Sequence, residues 1–414
     1  IPLMFLLEWL ENVSWTMWRK VWMLYGVGLV FFAIIVQWMY RIHATDLIQD
    51  GALRLVFLIL SFFLVASSLA IGFIVFGWLY FKLKVSLRKP TVFWLLPAAW
   101  MVGEYTRSVL FSIMWLGPGG SIGSHWNFGA LGFAASATGL GVGARLLGLY
   151  GLGAAIVVIN LMVYSLAKRR FVGLIGHAGF AIIIALGLSR TLYVANTNSK
   201  TVRVGVAHLQ SGADTDYEDD LMRSIQLRSS GRVGLFILPE YSHFYEAATQ
   251  TQDDKHRAIA RSTVGTVNNQ GVIVTSRAGV GDKEGENGLI FMRADGNVIE
   301  TQYKRFLIPA GEYVPYVFHI ILIASGNSTV VSQHEGSKTI TAAGRPEQPV
   351  MIDGVRYGSL ACSGAIAPEF YRNLTRVGAE VLTNSASLSS MGIDKLYFEQ
   401  AKQMIISGSS DEIL

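Results

Sequence analysis

The stretch VMIDGVRYGSLACSG (350–364) decides how the second half of this chain folds. Two short runs rich in β-branched and aromatic residues flank Asp353-Gly354, a dipeptide suited to the tight turns of β-hairpins. The hairpin therefore closes on Cys362, the only cysteine in the 414 residues. Working outward, further runs read as strands: VRVGVAHLQ (202–210), GLFILPE (234–240), GVIVTSRAG (271–279), GLIFMRADGNVIETQYK (288–304) and AEVLTNSA (379–386). A second Asp-Gly pair, Asp295-Gly296, marks another hairpin turn. Stretches 214–230, 252–268 and 366–377 are polar enough for surface helices. Strands alternating with helices and interrupted by hairpins predict an α/β domain with a mixed sheet.

The first half has a different character. The chain is 51% hydrophobic and only 15% charged, where a soluble protein carries about 25% charged residues. Five segments are long and apolar enough to span a bilayer, at approximately 20–40, 54–81, 91–112, 145–166 and 171–193. Residues 1–18, with Trp9, Trp15 and Trp18, read as an interfacial helix or the end of an earlier one. Arg19 and Lys20, then Lys82, Lys84, Arg88 and Lys89, then Lys168, Arg169 and Arg170 occupy alternate loops. The positive-inside rule makes that side cytoplasmic, so everything after about Asn196 is expected outside the cytoplasm. The sequence thus divides into a transmembrane helical domain, 1–196, and an extracytoplasmic domain, 197–414.

The net charge of +5 is the ordinary excess of such loops. No basic stripe with interleaved aromatics argues for nucleic acid. One cysteine excludes an internal disulfide and a CxxC metal site, and the eight histidines stand in no metal-binding spacing. No metal or organic cofactor is implied.

Three strand ends carry reactive side chains: Glu240 in LFILPE, Lys304 in TQYKRFLIPAGEYVPY and Cys362 in YGSLACSG. Singly, each has an ordinary reading: a loop carboxylate, a solvated lysine, a small core residue. Together they supply a base, a cation and a nucleophile.

The segments LPEYSHF, YKRFLIPAGEYVPY and GSLACSG followed by GAEVLTNSA resemble the Glu, Lys and Cys blocks of the carbon–nitrogen hydrolase (nitrilase-like) superfamily. GEYVP after the lysine is similar to the apolipoprotein N-acyltransferase family. So are PAAWMVGEYTR (97–107), MWLGPGG (114–120) and LLGLYGLGAAIVVIN (146–160) of the apolar half. The resemblance covers about residues 90–410. It implies an N-terminal α-helical transmembrane bundle, a C-terminal α/β nitrilase-like αββα sandwich, and an inner-membrane protein with its catalytic domain on the periplasmic side.

It also implies roles. Cys362 would attack an acyl carbonyl and become a thioester, Glu240 would handle protons, and Lys304 would stabilise the oxyanion with the backbone N–H of Ser363. Glu312 would hold the lysine. Trp115 and Gly117–Gly120 would form a loop facing the active site, His243 is a further candidate for the pocket, and Glu104 and Arg107 would form an intramembrane ion pair or touch phospholipid. The implied partners are a phospholipid acyl donor and an amine acceptor, in the family the N-terminal cysteine of an apolipoprotein.

The sequence also departs from the family. Ser363 and Gly364 stand where a Tyr-Glu pair usually follows the nucleophile. Ser387-Leu388-Ser389-Ser390-Met391-Gly392 replaces an Asn-Asp-Ala-Trp-Phe-Gly stretch, and both chain ends look shorter than the family's. A different acceptor, as in a divergent relative serving plasmid conjugal transfer, and an amidase or hydrolase activity are the alternatives. A catalytically retired membrane scaffold is the third.

Overall fold

The computed structural model describes residues 2–37, 39, 51–87, 89–136, 138, 143–169, 204–206, 235–240, 244–245, 272–277, 286–293, 297–309, 311–329, 331–332, 344 and 346–386. They belong to two compact units. The first draws on Ile1–Met114 and Ile122–Ser199, the second on Trp115–Ser121 and Lys200–Phe398.

The first unit is helical: α1 (Pro2–Asn12), α2 (Met17–Ile35), α3 (Gly51–Ser86), α4 (Lys89–Met114), the one-turn α5 (Phe133–Ser136) and α6 (Ala144–Ala167). Among the described residues, three stretches are long and apolar enough to cross a membrane: Met17–Ile35, Arg54–Ser86 and Leu147–Ala167. The expected span at 91–112 falls in α4, a helix of 26 residues that is not among these three stretches. The expected span at 171–193 lies outside the described residues. Small residues bring α3 and α4 together. A Cβ added at Gly103 would sit 2.8 Å from the Gly72 carbonyl, and one at Gly72 would sit 2.9 Å from the Gly103 carbonyl. Helices in lipid gain most of their packing from such close approaches.

Glu11, near the end of α1, accepts a hydrogen bond from the Tyr80 hydroxyl and pairs with Lys84 at 2.6 Å. Both partners are on α3. Glu8 pairs with Lys168 at 2.8 Å. These ties fix α1 against the ends of two other helices.

The second unit holds two sheets. Strands β1 (Val204–Val206), β2 (Leu235–Ile237), β3 (Val272–Arg277), β4 (Gly288–Arg293) and β5 (Val298–Tyr303) pair in sequence order. The first two pairings are parallel and the last two antiparallel. Strands β6 (Val350–Ile352), β7 (Val355–Ala361) and β8 (Val381–Ser385) form the other sheet, with β7 central. Helix α7 (Tyr316–Ala324) precedes β6, and a short 3₁₀ helix (Cys362–Ile366) and α8 (Pro368–Arg376) follow β7.

All six strand segments read from the sequence contain a strand, and 366–377 contains α8. The helices expected at 214–230 and 252–268, and the Asp295-Gly296 turn, lie outside the described residues. Helix α7 was not expected. Its apolar sequence YVFHIILIA is too short for periodicity to separate helix from strand.

One hydrophobic cluster takes Leu235, Val274, Leu289 and Phe291 from the first sheet with Val350, Tyr357 and Ala361 from the second. A polar staple joins them as well. The Gln302 side chain accepts from Ser359 N at 2.9 Å and donates to the Gln348 carbonyl. Gln302 lies two residues before Lys304, and Ser359 three before Cys362, so this staple sets the two sheet ends in register.

Candidate active site

Topology explains why distant residues meet. Strand β4 runs antiparallel to β3, and β5 antiparallel to β4, so β5 points the same way as β2. The residues following β2 and β5 therefore emerge at the same end of the sheet. After β2, Leu238 N still donates to Val274 O at 2.9 Å, and the chain turns at Glu240. After β5, Lys304 N donates to Asn287 O at 2.7 Å.

The two side chains meet in the interior. Lys304 Nζ donates to Glu240 Oε1 at 2.9 Å and to Glu312 Oε1 at 2.5 Å. Glu312 is folded back onto the lysine by a turn in which Gly311 N and Glu312 N both donate to Ile308 O. Its second oxygen accepts from Ile308 N at 2.9 Å. All three side chains are buried, at 3% exposure for Lys304, 5% for Glu240 and 8% for Glu312.

Cys362 follows β7 and opens the 3₁₀ helix with φ at +43°. A non-glycine residue in this left-handed region is uncommon, and such strain concentrates at functional sites. The bend turns the residue out of the strand, and Cys362 is half-buried. Burial, then the charge of Glu240, pushes its thiol above the ordinary cysteine value, while Lys304 pulls it down. Burial disfavours the Lys304 ammonium, yet its coulombic interactions with Cys362 in the thiolate form and with the carboxylates Glu240 and Glu312 outweigh burial and hold the lysine above its usual value. Burial raises Glu312, only partly offset by Lys304.

The site thus sets a thiol whose ionisation burial opposes beside a lysine whose charge its neighbours favour. Glu240 keeps one oxygen, Oε2, buried and without a hydrogen-bond partner among the described residues.

Other sequence candidates fall as follows. The Ser363 hydroxyl is buried and donates to the Phe306 carbonyl at 2.6 Å. Trp115 is buried with its ring edge-on to Phe318, and its carbonyl accepts from the Tyr313 hydroxyl at 3.0 Å. Leu116 O accepts from Tyr316 N at 2.8 Å. The segment after α4 therefore packs beside the residue that follows Glu312. His243 lies outside the described residues.

Glu104 and Arg107, in the first unit, are both buried but do not form the expected ion pair. Glu104 Oε1 is drawn to Leu131 N, at 2.7 Å, and the Arg107 guanidinium stacks over Phe32, 4.8 Å from the ring centre. Glu104 Oε2 and both terminal nitrogens of Arg107 have no hydrogen-bond partner among the described residues.

Sequence reading missed Asn384. Its side-chain amide donates to Leu360 O at 3.0 Å and to Cys362 O at 3.1 Å, bracketing the bend at Cys362. Nothing local marks it, because its partners arrive through strand pairing. Among the described residues, no group of His, Cys, Asp and Glu could hold a metal ion.

Residues 1–162 match the apolipoprotein N-acyltransferase N-terminal domain. Apart from Trp115–Ser121, the match falls within the helical first unit. Similar solved structures include a carbon–nitrogen hydrolase from Helicobacter pylori G27, at 15% identity, covering 49% of this chain and 68% of that one, with a TM-score of 0.33. They also include an amidase from Nesterenkonia sp., at 17% identity, covering 46% of this chain and 66% of that one, with a TM-score of 0.30. No curated protein matches the chain significantly.

Proposed function

We propose that this chain is an acyltransferase that carries a fatty acyl group from a membrane phospholipid, through Cys362, to an amine. The observation that carries the reading is the buried ammonium of Lys304, held between Glu240 and Glu312 within the electrostatic reach of the only cysteine. The N-terminal family match supports the lipid substrates, and the strand-end placement of all three groups supports a nitrilase-like αββα sandwich. In this reading residues 197–414 are an extracytoplasmic domain of an inner-membrane protein whose transmembrane bundle admits both lipids.

In the first half-reaction the Cys362 proton passes to Glu240 as sulfur attacks the ester carbonyl. The tetrahedral oxyanion is met by the Lys304 ammonium and the Ser363 N–H. Collapse expels the lysophospholipid alkoxide, which takes the proton from Glu240 and leaves a thioester. In the second half an amine attacks the thioester, Glu240 accepts its proton, and the thiolate leaves and recovers that proton. Glu312 holds Lys304 in place throughout. No metal is required at any step, because the positive charge comes from the lysine.

The acceptor is where this chain departs from its family. A carboxylate beside the thioester can position an ammonium and take its proton; here Gly364 stands in that place and the Ser363 hydroxyl is committed to Phe306 O. Acylation should therefore be fast and transfer to a diacylglyceryl-cysteine peptide slow.

Mass spectrometry of Cys362 after incubation with phospholipid vesicles tests the first half. The expected result is an acyl adduct, absent in Cys362→Ala and formed about 10² to 10³ times more slowly in Lys304→Ala. Single-turnover transfer to a lipopeptide tests the second. No adduct on the wild-type protein would sink the reading, and transfer as fast as acylation would restore the ordinary lipoprotein acceptor.

A further inference from the structure

Strands β7 and β8 are parallel, with Leu360 opposite Asn384 and Ala361 opposite Ser385. The ladder stops at Ala361, and at Cys362 the backbone bends into the left-handed region. Across that bend the Asn384 amide nitrogen bonds two carbonyls, Leu360 O at 3.0 Å and Cys362 O at 3.1 Å. Both neighbours are acceptors, so the nitrogen, rather than the oxygen, must face them.

The second bond has a consequence for chemistry. The Cys362 carbonyl and the Ser363 N–H belong to one peptide unit, which is planar and trans, so they point in opposite directions. Holding the carbonyl therefore aims the N–H. On the far side of the same peptide, the Ser363 hydroxyl is bonded to Phe306 O at 2.6 Å, which prevents the unit from pivoting. The plane is thus gripped from β8 on one side and from the residue two past Lys304 on the other.

We propose that Asn384 is a positioning residue: by holding the Cys362 carbonyl it aims the Ser363 N–H at the oxyanion of the acyl-transfer intermediate. The inference rests on the acyl-transfer reading above and concerns only the step that develops an oxyanion. Asn384 touches no substrate and plays no part in deprotonating Cys362.

Two reactions of the same thiol separate these roles. Alkylation by iodoacetamide uses the nucleophile but forms no oxyanion; acylation by p-nitrophenyl butyrate needs both. In Asn384→Ala, and in Asn384→Asp, which keeps the shape but places acceptors against the two carbonyls, alkylation of Cys362 should proceed at the wild-type rate. Acylation should slow about 10²-fold, the scale set by a misplacement near 1 Å. Equal losses in both reactions would mean that Asn384 merely supports the local fold, and no loss in either would mean that the peptide plane is held without it. Both outcomes overturn the proposal. Failure of the wild-type protein to acylate, with normal alkylation, would instead overturn the acyl-transfer reading itself.

Discussion

At the scale of the residue, the site is governed by the competition between burial and charge around one sulfur. The negative charge of Glu240 opposes formation of the thiolate, and Lys304 favours it; burial adds to the side of Glu240. Removing the Glu240 charge therefore lowers the thiol's pKa. Glu240→Gln should shift the pH profile of Cys362 alkylation by iodoacetamide toward lower pH, with a faster rate at neutrality, although it removes the proton acceptor needed for acylation. A profile that stayed in place or moved to higher pH would show that the two charges do not sense each other. Glu240, Lys304 and Cys362 were legible in the sequence because each closes a strand-like run and stands in a segment that resembles the Glu, Lys or Cys block of the superfamily. Asn384 was not legible: its role depends on the register of β7 with β8 and on a backbone bend at Cys362, neither of which leaves a local mark.

At the scale of the element, the β6–β7 hairpin positions Cys362, and its turn is specified by two residues. Asp353 has φ at +49° and Gly354 at +76°, the paired positive angles of a type I′ turn. Its twist matches that of the strands, so β7 reaches Ala361 in the register that sets Ser359 against Gln302. Gly354→Val should cost about 1–2 kcal/mol, the penalty of a Cβ in left-handed backbone. Denaturant melts of the purified protein would measure it, and a loss below a few tenths would mean that the turn tolerates another geometry. The sequence announced this hairpin through its Asp-Gly pair, whereas α7 stayed hidden because nine apolar residues satisfy either period. Glu104 and Arg107 teach a related point. Spacing of three on a helix puts two side chains on one face, but whether they pair depends on competitors from other elements, here Leu131 N and the Phe32 ring.

At the scale of the whole molecule, the alternation of basic clusters predicts orientation. A reporter active only in the cytoplasm, fused after Lys200, should be silent, and strong activity would reverse the topology. The expected division at about residue 196 is read from apolar runs giving way to short β-rich ones. What composition did not convey is that Trp115–Ser121, early in the chain, counts with the second unit. A short loop between two helices carries no periodic signal of where it packs.

Helix α3 has 36 residues, which at about 1.5 Å per residue makes it roughly 54 Å long. A bilayer's hydrocarbon layer is only about 30 Å thick. The mismatch must be absorbed by leaning or by emerging into the headgroups. At its Lys84 end, α3 is bonded to α1 twice through Glu11, once from Tyr80 and once from Lys84, about one turn apart. Two attachments one turn apart transmit inclination as well as position, so α1 follows whenever α3 leans. Were α3 to span a bilayer, these two attachments would carry α1 along with any inclination the lipid thickness imposes on it.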